Sequence, residues 1–541
     1  MILTGGTILS MDKFLAPAQA LAIVDGRILA VGNDEEIRPL ANWQTKRIDL
    51  NGAVVVPGLT DSHLHLLGFG RSLEEIQLVG TASPEAVAAL VAAKTRELPP
   101  GTWIRGRGWD QNDWDAKVYP TKDILDRAVP DHPVLLSRID GHAIWVNSRA
   151  MAIAGVTART PVPDGGAIIQ GEEGIPTGIF IDNAENLITD KLPEPGKEDI
   201  RRWLLAAVRR LNQVGLTGVH DAGVGETTIE VLRELIDEGE FTLRYYGMLD
   251  GSDEDLLNTY IEGGPVIDYG KHMTLRAVKL YVDGALGSRG AALLEPYHDD
   301  PNNRGLIVTP VEELETLIER SMRAGFQPCI HAIGDRGNRV VLDIYERVMN
   351  RTEQRELRPR IEHAQVLSLR DIRRFARLDV IPAMQPSHAT SDMYWAEDRL
   401  GPDRIRGAYA WRKILNTGVV IPGGSDCPVE REEPLLQLYA ARTRQDTNGW
   451  PEGGWYPKER MGGLEALKSL TSWSAYAAFE EAQRGKILPG YTADLTILDT
   501  NPVICKASEI LTTKVLLTIV GGEVVWRDKA GLRAMGKQAS N

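Results

Sequence analysis

Short apolar runs alternate with amphipathic stretches over most of this chain. Val54 to His65, Thr217 to Asp221, Leu243 to Leu249, Leu275 to Asp283, Gly325 to His331, Arg360 to His363, Val380 to Gln385 and Val419 to Asp426 have the length and composition of strands. Between them, Ile200 to Val214, Thr227 to Glu238, Val311 to Ala324, Arg339 to Val348 and Ile405 to Asn416 carry the helical period. Eight strands separated in this way predict an α/β protein built on a closed (β/α)8 barrel rather than an open doubly wound sheet. The two ends read differently. Thr7 to Leu9, Ala20 to Val24, Arg27 to Val31 and Arg47 to Leu50 are short strands, with Asp25-Gly26 as a tight turn. Asp494 to Leu498, Val515 to Val520 and Glu523 to Trp526 repeat that texture around Gly521-Gly522. Neither end has enough apolar residues for its own core, so residues 1–55 and 484–541 are expected to form one small β-module around a barrel at 56–483.

The interval at about 70–195 breaks the rhythm. Pro84 to Leu98 reads as a helix and Pro133 to Ile139 as a strand, which predicts an inserted α/β subdomain. Its segments Gly101 to Trp114 and Gly165 to Gly178 are candidates for covering the barrel mouth.

Composition narrows the class. Over 541 residues, 43% hydrophobic and 25% charged is the balance of a globular protein, and no apolar run is long enough for a bilayer. A formal charge of -14 argues against nucleic acid as a partner. The start lacks the basic region of a signal peptide, and Cys329, Cys427 and Cys505 make no disulfide framework, which together favour a reducing, cytoplasmic setting. A homodimer through barrel helices or the terminal module is compatible with the sequence.

The chemistry lies at strand ends. His63 and His65 follow the apolar run Val54-Val55-Val56-Pro57-Gly58-Leu59, and their i,i+2 spacing puts both imidazoles on one face if the strand continues. Such a pair alone also suits a core. His331, His363 and Asp426 then end later strands, and in a closed barrel these positions meet at one rim, where imidazole and carboxylate form a divalent-metal site. Lys279 interrupts Leu275 to Asp283. A buried ammonium there has three readings: a salt bridge with Asp283 or another carboxylate, a substrate-binding or acid role, or deprotonation and addition of carbon dioxide to give a metal-bridging carbamate.

These residues belong to longer motifs: Pro57-Gly58-Leu59-Thr60-Asp61-Ser62-His63-Leu64-His65, Asp140-Gly141-His142-Ala143, Asp283-Gly284-Ala285-Leu286-Gly287-Ser288-Arg289-Gly290, His331-Ala332-Ile333-Gly334-Asp335-Arg336-Gly337, Arg360-Ile361-Glu362-His363-Ala364-Gln365 and Gly424-Ser425-Asp426-Cys427-Pro428-Val429. The ordered set resembles the amidohydrolase superfamily, in particular its YtcJ-like branch, which includes N-substituted formamide deformylases. The resemblance implies a TIM-like barrel inserted between the two parts of a β-sandwich. It also implies one or two divalent ions, zinc first: His63 and His65 on the buried ion, His331 and His363 on the outer one, a carboxylated Lys279 between them, and Asp426 on metal and water.

The expected reaction is hydrolysis of a C–N bond in a small amide-like substrate, an N-acyl or N-formyl amide, with Asp426 moving a proton from water to the departing nitrogen. His142 and His220 are further candidate catalytic residues; Trp109, Arg289, Tyr394 and Trp395 are candidate substrate contacts. Clustered Trp103, Trp109 and Trp114 also suit packing of the insert, and Arg289 also suits a salt bridge that braces its loop. Hydrolysis of an ester, carbamate or cyclic amide, and a metal-containing ligand sensor without turnover, are the alternative functions.

Overall fold

The computed structural model describes residues 1–14, 18–95, 98–193 and 195–529. Its centre is a parallel barrel of seven strands: Leu59–Leu64, Leu216–Val224, Arg244–Asp250, Met273–Tyr281, Gln327–Ala332, Arg360–His363 and Ile381–Ala383, each paired to the next. Helices Lys197–Gln213, Glu226–Asp237, Val311–Arg323 and Asp335–Thr352 pack outside it and bury their apolar stripes on the strands. This is the TIM-like barrel that the strand–helix alternation predicts.

The eighth predicted strand, Val419 to Asp426, is not a strand. The segment closes the barrel through a single parallel bridge, Gly423 to Met384, and through Ser62 N–H to Gly423 O at 2.9 Å on the other side. Pro422 has no N–H to give a ladder, and a Cβ on Gly424 would fall 2.6 Å from the His63 nitrogen, so the backbones approach more closely than side-chain-bearing strands allow. The predicted helix Ile405 to Asn416 is also broken, into a turn at Ile405–Gly407 and a helix at Trp411–Leu415, where Tyr409 adopts φ 48°.

The run Val54 to His65 divides at Gly58. Val54–Pro57 belongs to a five-stranded sheet with Thr7–Ile8, Leu495–Leu498, Val515–Val520 and Glu523–Arg527, so that sheet draws on both ends of the chain. A four-stranded sheet of Ile2–Thr4, Ala20–Val24, Arg27–Gly32 and Arg47–Asp49 covers it, and Leu3, Leu21, Val55, Ile497, Leu517 and Ile519 fill the space between. Arg244 and Asp494 tie barrel to sheet, with Nε–Oδ2 3.0 Å and Nη2–Oδ1 2.9 Å.

The insert is a six-stranded sheet in the order Gly166–Gln170, Pro176–Asp182, Ala143–Val146, Val134–Arg138, Ile104–Trp109, Ile76–Gln77. The stretch from Gly165 to Gly178 is thus largely a hairpin at its edge. Helix Pro84–Thr95 packs on one face; of the rest of that predicted helix, 96 and 97 lie outside the described residues and Leu98 is not helical.

Candidate metal centre

Strand ends on one rim bring the predicted ligands together. His63 is the next-to-last residue of the first strand and is fully buried, whereas His65 lies just past the strand end, with a third of its side chain exposed. Their rings stand edge to face, 5.7 Å apart, and both Nε2 atoms face Asp426 Oδ1, at 3.4 and 3.2 Å. Two ligands about 2.0–2.1 Å from a tetrahedral ion lie about 3.3 Å from each other. This trio therefore has the spacing of a shared ion. Asp426 Oδ1 is buried without a hydrogen-bond partner among the described residues, as a metal ligand awaiting its ion would be. The donor set fits a divalent metal.

The second layer explains the orientation. Glu362 accepts a short hydrogen bond at His63 Nδ1, which directs Nε2 toward Asp426. Arg360 holds Glu362 from the other side, Nε–Oε1 2.8 Å and Nη2–Oε2 3.0 Å, and all three side chains are buried. Burial would raise the Glu362 carboxyl, but Arg360 and His63 hold it far below the usual carboxylate range. Asp61 receives the His63 and Ser425 backbone N–H groups at 3.0 Å and so ties the first strand to the closing segment.

The other histidines surround the same point. The His363 ring centroid is 4.8 Å from that of His63 and 4.6 Å from that of His331. Burial drives both His331 and His363 well below the usual imidazole range, which keeps them in the neutral, ligating form. Asp426 stays ionised: burial opposes this, and the neighbouring imidazoles of His63 and His65 outweigh it. His363, Ala364 and Asp426 sit at φ 72°, 42° and 59°, a left-handed backbone costing about 1–3 kcal/mol at each non-glycine residue, and such strain collects at functional sites. Lys279 is buried with Nζ 3.5 Å from His63 Nε2, and burial lowers it from its ordinary value. The expected alternative of a Lys279–Asp283 salt bridge is not formed: Asp283 instead accepts the backbone N–H groups of Ala292, Ile333 and Gly334.

A cavity of about 510 Å³ opens beside Asp426, His331 and His363, lined also by His142, His388, Tyr394 and Trp395 among others. His142 reaches it from the insert. Its Nδ1 is 2.7 Å from Asp182 Oδ1; burial would lower its pKa, but Asp182 and Asp140 push it up to about 9. Of the candidate substrate contacts, Tyr394 and Trp395 line the cavity and two do not. Trp109 is fully buried in the insert, its ring stacked on Trp114 at 6.1 Å and its Nε1 donating to Leu136 O, because the hydrophobic core there claims the whole indole. Arg289 turns outward to Asp299, Nη2–Oδ2 2.9 Å, so the bracing alternative describes it. His220 lies away from the cavity wall, its Nδ1 3.0 Å from Arg360 Nη1, and burial with that cation keeps it neutral. Sequence reasoning missed His388, on helix Pro386–Asp392, whose Nε2 lies 3.6 Å from Asp426 Oδ2. It also missed Asp182. The only sequence signal for His388 was its position just beyond a predicted barrel strand.

Comparison with known proteins agrees with this geometry. Residues 46–526 match the Amidohydrolase family. The chain is 34% identical over 529 residues to "Putative amidohydrolase YtcJ" of Bacillus subtilis (strain 168), covering 96% of this chain and 98% of that one. It is 28% identical over 543 residues to "N-substituted formamide deformylase" of Arthrobacter pascens, covering 96% and 97%. Among solved structures, an uncharacterized metal-dependent hydrolase from Pyrococcus horikoshii OT3 superposes with a TM-score of 0.76 at 28% identity, covering 94% of this chain and 98% of that chain. With the barrel, the histidine and aspartate cluster at its rim and these likenesses together, the chain belongs to the amidohydrolase family, the metal-dependent hydrolases of carbon–nitrogen bonds other than peptide bonds.

Proposed function

We propose that the protein hydrolyses the C–N bond of a small N-acyl amide, with N-substituted formamides as the first class to test, and that zinc is its metal. The observation that carries this reading is the meeting of His63 and His65 with Asp426, a residue that also lines, with His331 and His363, a cavity large enough for a small organic substrate. The likeness to the Arthrobacter formamide deformylase supports the acyl group.

His63, His65 and Asp426 would hold the ion, which when bound supplies a Lewis acid for the carbonyl and lowers the pKa of water. The remaining work falls to the chain. Asp426, already ionised, takes the proton of the attacking water on a carboxylate oxygen, since each oxygen has two lone pairs and ligation uses one. His142 has Nδ1 committed to Asp182, so Nε2 is the ring nitrogen left to donate to the carbonyl or the departing amine. Trp395, Tyr394, Leu286 and Ile333 offer apolar surface to the substituent on nitrogen, and the insert supplies one wall of the cavity through Val79, Ile139 and His142.

The test is product analysis with zinc-reconstituted protein on matched N-benzylformamide, benzyl formate, a benzyl carbamate and a cyclic amide. Release of benzylamine and formate, faster than cleavage of the other three, is expected. Preference for the ester, carbamate or ring amide would replace the substrate class, and binding of formamide without amine release would favour the sensor reading.

A further inference from the structure

The insert adds a cation to the cavity wall. Arg105 and Arg107 flank Gly106 on strand Ile104–Trp109, and their i,i+2 spacing turns both side chains to one face of the insert sheet. Close by are Arg71, on the short helix Leu66–Ser72 that follows the first barrel strand, and Glu75. Glu75 Oε1 lies 3.0 Å from Arg71 Nε and 3.2 Å from Arg105 Nε. Three guanidiniums thus share a neighbourhood with this carboxylate, and two of them have taken it.

Arg107 is left over. It is more than nine-tenths buried and lines the cavity. Nη1 donates to Pro428 O of the closing segment, and Nη2 donates to Ile139 O of the insert at 3.0 Å. A guanidinium keeps its charge in a protein and has five N–H donors, so three of them find no acceptor among the described residues. The acids around it are otherwise engaged. Asp426 faces His63 and His65, and Arg138 takes Asp110 and Asp140, each at 2.5 Å. Burial keeps the thiol of Cys427 neutral, and it pushes the Glu430 carboxyl, which accepts from Ser391 Oγ, up to about 7. A buried cation without a counter-charge is costly, and at a cavity wall a ligand can supply that charge. The two carbonyl bonds also fix the guanidinium in place before any ligand arrives, which lowers the cost of binding one.

We propose that Arg107 binds a carboxylate of the substrate through the N–H groups that the two carbonyls leave free, so that the amides this protein takes carry an acid on their amine half. The inference rests on the proposed hydrolysis of N-acyl amides, in which a formyl group has no place for a second charge. A guanidinium suits the task because its planar fork meets both oxygens of a carboxylate.

The test compares two probes that differ in one charge, 4-(formamidomethyl)benzoate and N-(4-methylbenzyl)formamide. Chelator-stripped full-length protein turns over neither, so calorimetry reads binding alone. Wild type is expected to hold the benzoate about 10- to 100-fold more tightly than the neutral probe, and Arg107→Gln, whose amide can still donate to a carbonyl, to bring that ratio within about twofold. If Arg107→Gln does not fold, as judged by circular dichroism, Arg107→Met replaces it. Equal affinity of wild type for the two probes would overturn the proposal. So would a variant that weakens both probes alike and keeps the ratio, the mark of a residue that merely braces the insert. Amine release by zinc-reconstituted protein separates this inference from the reaction it rests on. Release from the neutral probe without any preference for the benzoate sinks the role of Arg107 alone; benzoate-selective binding without release from either probe keeps that role and sinks the hydrolysis.

Discussion

Glu362→Gln should separate the structural and the metal-holding roles of the site. Glu362 is fully buried, takes Nδ1 of His63 on one side and is forked by Arg360 on the other. The substitution keeps the shape and removes one charge, so the Arg360 guanidinium stays in the barrel core beside His220 and the Ser62 carbonyl, with no anionic side chain paired to it among the described residues. Breaking a buried ion pair from one side costs about 3–5 kcal/mol. The Gln side chain must also turn an N–H toward one of its two donors, leaving either His63 or Arg360 with a missing bond. Loss of such an outer partner lowers metal affinity about 10- to 100-fold. Urea unfolding of the metal-free protein reads the first effect, and competition with a chelator for Zn2+ reads the second. Adding Arg360→Met to Glu362→Gln removes the stranded cation and lets Gln accept from His63, so much of the lost stability should return. Metal-free stability within about 0.5 kcal/mol of wild type in the single variant, together with unchanged zinc affinity, would refute the reasoning.

Asp426→Asn should lose metal and abolish turnover, because the lost charge faces the Nε2 atoms of His63 and His65 at 3.4 and 3.2 Å; elemental analysis and amine release check it. Gly424→Ala should destabilise the closing segment and weaken metal binding, since its Cβ would press on the His63 nitrogen and Asp61 Oδ1; chelator competition against wild type measures this. Trp109→Ala should cost about 3–5 kcal/mol in unfolding free energy through the insert core, whereas Trp395→Ala should chiefly raise KM, by about 10- to 100-fold. Asp494 is held below its ordinary value despite burial, because Arg244 outweighs it. Its contribution is therefore full above the unfolded value of about 3.9 and is lost as pH falls through the folded value, so Asp494→Asn should flatten the acid limb of a stability–pH curve.

The barrel was legible in the sequence because its strands are short apolar runs separated by strongly amphipathic helices. His63, His65, His331, His363 and Asp426 stood out because each ends or follows such a run. What failed had physical causes. The segment through Pro422-Gly423-Gly424 has strand-like apolarity but lacks the N–H and Cβ groups for an ordinary ladder, so it closes the barrel by close backbone approach instead. His388 sits in a helix whose sequence, Pro386-Ser387-His388, carries no ligand spacing; only the fold turns it toward Asp426. Trp109 and Arg289 lie near the right loops in sequence, yet side-chain direction sent one inward and the other to Asp299. Asp182 ends the strand paired with Ala143–Val146 in the insert, 40 residues after His142, a separation that no local motif encodes.

The split at Gly58 bears on how the chain is made. Val54–Pro57 is gripped by Leu495–Leu498, a partner more than 400 residues later, while six residues after Pro57 comes His63. During synthesis the N-terminal half of this seam leaves the ribosome long before its mate exists, an apolar ribbon with one flank open. Nascent protein truncated before Leu495 should accordingly clump or require a chaperone, even though the strand bearing His63 already has Leu216–Val224 to pair with.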